Sequence, residues 1–277
     1  MFDRFFLKLL AKPGLSRTTA RFADTRWPGP VLRTFLRSYI RHYGVDLEEV
    51  QDDLSAFKTF NEFFTRALKD GARPIAGGEG TLLSPSDGLV VAAEDIGEDG
   101  QIGQIKGTTY SLDSLLNDSQ LAQTYVGGKQ ITIYLSPRDY HRVHAPLSGR
   151  VTRISHIAGR CFPVNEWAAS HIENLYGLNE RVLIEMQTTA YGHVGLVMVG
   201  AANVARISLA FHELQSNNKS DGDTIELDGI TLEGGEELGR FNLGSTVVLL
   251  LPKNDTATLA CSTGDTVKMG QALGTIA

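Results

Sequence analysis

Cysteine is nearly absent from this 277-residue chain: Cys161 and Cys261 are the only two, and they lack metal-ligand spacing. That excludes a disulfide framework and fits a reducing compartment, with both thiols serving as small buried apolar groups. Long hydrophobic runs are missing too. None reaches the roughly 18–20 residues of a membrane span. The opening "MFDRFFLKLLAKPG" is too broken by charge for a secretion-signal core. There is no GxGxxG, no HExxH and no alternation of strand with helix, so the dinucleotide-fold and zinc-protease signatures are lacking. No spacing predicts a metal. The net charge of −6 argues against a nucleic-acid partner.

What is present is unevenly distributed. Residues 1–42 hold nine Lys/Arg and two acids, a net +7, which leaves −13 for the rest. A basic arm on an acidic body points to an anionic surface as partner. Phe2, Phe5, Phe6, Leu9 and Leu10 share one helical face, and Arg4, Lys8 and Lys12 another, until Pro13-Gly14 ends the helix. After "WPGP", Leu32, Phe35, Leu36, Tyr39, Ile40 and Tyr43 form a second apolar stripe opposite Arg33, Arg37 and Arg41. Both helices suit either a membrane interface or the protein body. A third helix is expected over "TFNEFFTRALKD", residues 59–70. Thr59 and Glu62 start it with a capping box, and Phe60, Phe63, Phe64 and Leu68 form its buried face.

From about Leu82 the pattern changes to short β-type runs punctuated by Gly, Asp and Asn: 88–96, 129–137, 149–158, 181–188, 193–210, 245–252 and 266–277. Helices first and strands after predict an α+β fold, with N-terminal amphipathic helices and a mainly antiparallel, sandwich- or barrel-like core. The expected division is a helical, membrane-associating region over 1–70 and a β-rich catalytic domain over 71–277. "SPSDGLVV" (84–91) and "APLSGRVT" (145–152) share a weak likeness, too short for a repeat.

Three places could carry chemistry. His141 and His144 sit close together in "YLSPRDYHRVHAP", at the end of an expected strand. Asp87 lies in "SPSDG", which by itself reads as a turn. Ser245 opens the strand run of "RFNLGSTVVLLLP". The order Asp, His, Ser is compatible with a hydrolase relay, but the GxSxG elbow is missing. A second use of the serine is attack on the carbonyl of its own Gly244, which has no Cβ to obstruct approach. Elimination and hydrolysis of the resulting ester would leave a pyruvoyl group, a ketone able to act as an electron sink. A third reading, a carrier domain modified at Lys268 in "VKMGQALGTI", fails because Lys268 does not sit in a carrier hairpin.

The motifs "TFNEFFTRALKDGARPI", "SPSDG", "KGTTYSL", "YLSPRDYHRVHAP", "FPVN", "NERV", "VGAANV" and "ELGRFNLGST" together resemble the membrane-associated, pyruvoyl-dependent phosphatidylserine decarboxylases of bacterial and mitochondrial type. The likeness covers most of the chain beyond Tyr43. It implies a proenzyme that cuts itself between Gly244 and Ser245 into a β chain, 1–244, and an α chain, 245–277. By position, Asp87, His144 and Ser245 match the family's self-cleavage triad, and His141 the histidine implicated in decarboxylation. Ser245 would become the covalent pyruvoyl cofactor. A Schiff base with phosphatidylserine would then release CO2 and phosphatidylethanolamine. The resemblance further implies a peripheral protein on the cytoplasmic face of the cell membrane, with a homodimer among its compatible states. "FPVN" (162–165) is a candidate substrate loop.

Overall fold

A computed structural model describes residues 21–78, 80–105, 107–201, 206–216, 222–243 and 245–276, the side chains of 105, 245 and 276 excepted. The expected helix over 2–12 therefore lies outside the described residues, as does Gly244.

Residues 21–24 are helical. Helix α1 (Gly29–Tyr43) has proline in its first turn and closes on Gly44, which takes the left-handed conformation at φ 72°. Its apolar stripe is used inside the protein. Leu32 and Leu36 are buried, and Phe35, Tyr39 and Ile40 pack around them against Phe60, Phe63, Phe64 and Leu243. Helix α2 (Phe60–Phe64) has the capping box expected from Thr59 and Glu62. It is shorter than the sequence suggests. Beyond Thr65 the backbone turns to bond another segment: the amides of Gln51 and Lys69 donate to the carbonyls of Ala67 and Glu49. Long-range pairing outcompetes the local helix signal, and Leu68 is only half-buried.

The strands are β1 (Thr81–Leu83), β2 (Gly88–Asp95), β3 (Gln101–Ile105), β4 (Thr108–Ser111), β5 (Lys129–Leu135), β6 (Arg142–His144), β7 (Gly149–Ile157), β8 (Arg181–Thr188), β9 (Gly192–Val199), β10 (Arg206–Leu209), β11 (Asp223–Leu232), β12 (Glu237–Asn242), β13 (Ser245–Leu251), β14 (Ala257–Leu259), β15 (Thr266–Val267) and β16 (Ala272–Ile276). Four short helices interrupt them: α3 (Leu112–Leu116), α4 (Ser119–Gln123), α5 (Glu166–His171) and α6 (Leu175–Leu178). An eight-stranded sheet in the order β11-β7-β8-β9-β13-β5-β2-β15 forms the centre. Every ladder among the described residues is antiparallel.

The expected α+β class and antiparallel sheet are found, but the sheet does not close into a barrel. It is instead covered on both faces. One face packs on the small sheets β1-β16-β14 and β10-β12-β6, through residues such as Val247 and Leu249 against Val143, Leu238 and Phe241. The other packs on the helical layer, through Val248 and Leu250 against Leu115, Tyr125 and Tyr176. This double burial explains the unbroken "VVLLL": no position in Val247–Leu251 faces water. The expected single run over 193–210 is two strands, β9 in the large sheet and β10 in a small one.

Candidate active site

The site forms where the chain passes between sheets. Strand β12 pairs with β6, placing Glu237 opposite His144 and Arg240 opposite Arg142. Only Leu243 and Gly244 separate β12 from β13, which belongs to the large sheet. Leu243 makes this crossing at φ +85°, in a region that side chains with a Cβ rarely occupy, while its side chain is buried. Ser245 then pairs with Leu135, the last residue of β5, and Thr246 with both Tyr134 and Val199. From Leu135 the chain runs directly through Ser136–Tyr140 to His141. Ser245 and the histidine segment thus start from adjacent register positions, although they are 104 residues apart in sequence.

The two weakly similar segments lie side by side. The His144 amide donates to the Pro85 carbonyl, and the Leu83 amide to the Pro146 carbonyl. This crossing brings the Asp87 turn beside β6. Gly88 has φ +153°, and a Cβ there would approach the Tyr134 carbonyl oxygen to 2.5 Å. Glycine at 88 therefore lets β2 close on β5 immediately after Asp87.

Asp87 is almost completely buried and multiply bonded. Arg73 donates to both carboxylate oxygens, Nε at 2.8 Å and Nη2 at 2.6 Å. The Met269 amide donates at 2.9 Å, and Lys268 Nζ lies at 3.4 Å. Burial alone would raise its pKa. The Arg73 and Met269 bonds, with the charges of Arg73 and Lys268, outweigh that and hold the carboxyl below its usual range. Asp87 makes no hydrogen bond to His144. Its negative charge nevertheless acts on both histidines, favouring their protonated forms.

His144 Nδ1 lies 2.7 Å from the Gly235 carbonyl oxygen, which assigns the ring proton to Nδ1. Nε2 is then the basic nitrogen, and it accepts from the Tyr140 hydroxyl at 3.1 Å. Burial lowers the His144 pKa against the pull of Gly235 and Glu237. His141 is fully buried. Its Nδ1 donates to the Asp139 carbonyl at 2.8 Å, and its Nε2 has no partner among the described residues. Burial, with the nearby Arg66 cation, drives its pKa down to about 3, so the ring is neutral at ordinary pH. The Phe64 ring lies 4.0 Å away, centroid to centroid.

The structure thus gathers Asp87, His141 and His144 around the short strand β6, His141 just before its first residue and His144 at its last, with the Ser245 backbone paired to the end of β5. The sequence reading gave no role to Arg66, Arg73 or Tyr140. An arginine near a buried aspartate is its natural counter-ion, but no local pattern links Arg73 to Asp87. Lys268, considered above as a carrier lysine, faces Asp87.

Other shared motifs turn out to be architectural. In "NERV", Asn179 bonds the Phe162 backbone through both its N–H and its C=O, and Arg181 donates to the carbonyls of Ser114, Leu115, Gly177 and Asn179. In "FPVN", Phe162 and Val164 are buried core, and Asn165 caps α5.

Residues 60–275 match the family model described as phosphatidylserine decarboxylase. The chain is 38% identical to the phosphatidylserine decarboxylase proenzyme of Myxococcus xanthus, over the full length of both. It is 43% identical to the proenzyme of the same name from Pseudomonas aeruginosa, with 98% of this chain and 96% of that one covered. For the Pseudomonas fluorescens proenzyme the identity is 42%, over 94% and 92%.

Proposed function

Since the chain belongs to the phosphatidylserine decarboxylase family, we propose that it is a proenzyme that cuts itself between Gly244 and Ser245 and then converts phosphatidylserine to phosphatidylethanolamine and CO2. The observation that carries this reading is the crossing at 243–244. It puts Ser245 beside the strand that leads to His141, with a strained residue just before the bond to be cut.

In this reading His144 is the base. Its proton sits on Nδ1, held by Gly235, which leaves Nε2 to receive the serine proton. Asp87 acts through its charge, which strengthens His144 as a base, rather than through a direct bond. Gly244 offers its carbonyl without a Cβ nearby. Cleavage would divide the chain into 1–244 and 245–277.

The residues fit a covalent pyruvoyl group at position 245. β13 anchors the new terminus by pairing on both sides, and buried His141 holds a neutral Nε2 with no partner among the described residues. When formed, such a ketone supplies an electron sink for the pair released with CO2. His141 Nε2, which bears no proton, is suited to take one from the substrate ammonium and return it at the substrate α-carbon. Burial of the ring in an apolar setting, against Phe64, keeps bulk water from competing for that proton.

We further propose a peripheral position on the cytoplasmic face of the membrane, with residues 1–70 as the associating region and 71–277 as the catalytic domain. Among the described residues no helix is long and apolar enough to cross a membrane. The apolar stripe of α1 is not free for lipid. Exposed Phe22 and Val31, with Arg26, Arg37 and Arg41, remain available on the same region.

The test is intact-mass measurement of purified protein. Wild type should give two polypeptides, of 244 and 33 residues by the proposed cut, the smaller with a blocked N-terminus. Ser245→Ala should remain whole and inactive. A whole wild-type chain that still decarboxylates would refute the self-cleavage reading. A chain that stays whole and reacts with a fluorophosphonate would favour a serine hydrolase instead.

A further inference from the structure

Arg66 is a buried side chain beside the site whose hydrogen bonds are left half-made. It is 4% exposed. Its Nη2 donates to the carbonyls of Arg138 at 2.7 Å and Asp139 at 3.1 Å, while Nε and Nη1 have no partner among the described residues. A guanidinium is a donor only, and it cannot shed its charge to avoid the cost of burial. Two unpaired N–H groups on a buried cation are therefore expensive unless something else accepts from them.

Geometry indicates what that is. Arg66 lines a cavity of about 310 Å³, together with Arg73, Asp87, Arg138, Tyr140 and Lys268. Two of the carboxylates on its wall are already engaged, Asp87 and Glu49 with Arg73. A third, Asp139, accepts from the Ser136 amide and hydroxyl. None of them bonds Arg66. The Asp139 carbonyl oxygen takes hydrogen bonds from both Arg66 Nη2 and His141 Nδ1. One backbone atom thus links an arginine with spare donors to a histidine with a spare acceptor. The pair is complementary to a ligand that presents an oxyanion near a group with a proton to exchange.

Resting on the function proposed above, we infer that Arg66 binds an oxyanion of the phosphoserine headgroup, carboxylate or phosphodiester, and so sets the substrate against His141. Simple structural service, holding the 138–141 backbone, would use only Nη2. Nε–H and Nη1–H lie on different sides of the guanidinium, so each is a separate charge-assisted donor left for a ligand oxygen, and lysine has no matching pair.

The experiment uses the self-cleaved enzyme and Arg66→Lys, with a short-chain phosphatidylserine as substrate. Self-cleavage, read by intact mass, is expected to persist in the variant. The KM should rise by about ten- to a hundredfold, the range expected for a lost charge-assisted bond, with a smaller change in kcat. Two non-reacting probes separate the sources of the oxyanion. Glycerophosphocholine, which has no primary amine, carries only the phosphodiester, and N-acetylserine only the carboxylate. Inhibition of wild type by either, weakened in Arg66→Lys, supports the assignment and identifies the group bound. An unchanged KM, or inhibition that is absent or equal in both proteins, overturns it. If the variant does not self-cleave, the wild-type Arg66 Nε–H resonance decides, identified by its proximity to the Phe63 ring (5.3 Å from Cζ to centroid). It should shift with one of the two probes, and no shift with either overturns the assignment. A wild-type chain that never cuts would defeat the underlying function instead, a separate outcome visible before any probe is added.

Discussion

The hydroxyl of Tyr140 lies 3.1 Å from Nε2 of His144 and occupies the nitrogen that the proposed mechanism needs as its base. Burial pushes the Tyr140 pKa up to about 12, so the phenol stays protonated and donates. A donor on Nε2 weakens the base. Tyr140→Phe should therefore keep self-cleavage at a rate at least equal to wild type. The time course of intact mass after synthesis checks it. A large fall in rate would instead make the phenol a required proton carrier.

Arg73 is the main counter-ion of Asp87, which is almost fully buried. Arg73→Met would leave that carboxylate with Lys268 and one backbone amide. Breaking a buried pair from one side costs about 3–5 kcal/mol. Chemical denaturation of the variant in a Ser245→Ala background should show a loss of that order, without complication from cleavage. The Asp87 pKa should rise, since its strongest lowering influence is gone.

The sign of the pH dependence follows from His141. Its folded pKa of about 3 is below the ordinary 6.5. Between those values the unfolded chain binds a proton that the folded one refuses, so stability falls as pH falls. The slope from this group is at most about 1.4 kcal/mol per pH unit. His144, also lowered, and Asp87, below pH 3.8, add in the same direction. Denaturation midpoints measured from pH 7 to 4 should decline, and less steeply in His141→Gln.

Leu243 combines φ +85° with a buried side chain. Leu243→Gly would relieve about 1 kcal/mol of backbone strain but lose apolar packing worth more, roughly 3 kcal/mol. A net loss of about 2 kcal/mol is expected by denaturation of the uncut Ser245→Ala chain. In the Ser245 background, slower cleavage would show that strain at 243 assists attack on the next residue.

Removal of residues 1–14 should release the protein from anionic vesicles at moderate salt. The expectation rests on the sequence pattern alone, five apolar and three basic side chains spaced as for the two faces of a helix. Undiminished vesicle binding in a flotation assay would assign the contact elsewhere, with Phe22 and Val31 as the next residues to change.

Local signals were legible in the sequence where local physics decides. The capping box at Thr59 and Glu62, the proline in the first turn of α1 and the strand runs of β2, β5, β7, β8 and β13 all appear where the pattern places them. Strands β11, β12 and β14 were not anticipated. β11 is only partly buried and β14 is short, while the buried positions of β12 fall in adjacent pairs, so none of them shows a clear alternation. Helix α2 was read too long because the 66–69 segment satisfies its backbone through residues 49–51, a partner that no window contains.

The sequence by itself determined the chemistry at hand: Asp87, His141, His144 and Ser245, each placed beside a turn or strand end, and a glycine before the serine. The tertiary structure decided how those groups are connected. The Asp87 carboxylate is held by Arg73 and not by His144. The free nitrogen of His144 is covered by Tyr140, while that of His141 is bare and next to a half-bonded Arg66. These relations depend on strand register between β12 and β6 and between β13 and β5. Register is set by burying both faces of the sheet at once, a condition on the whole chain.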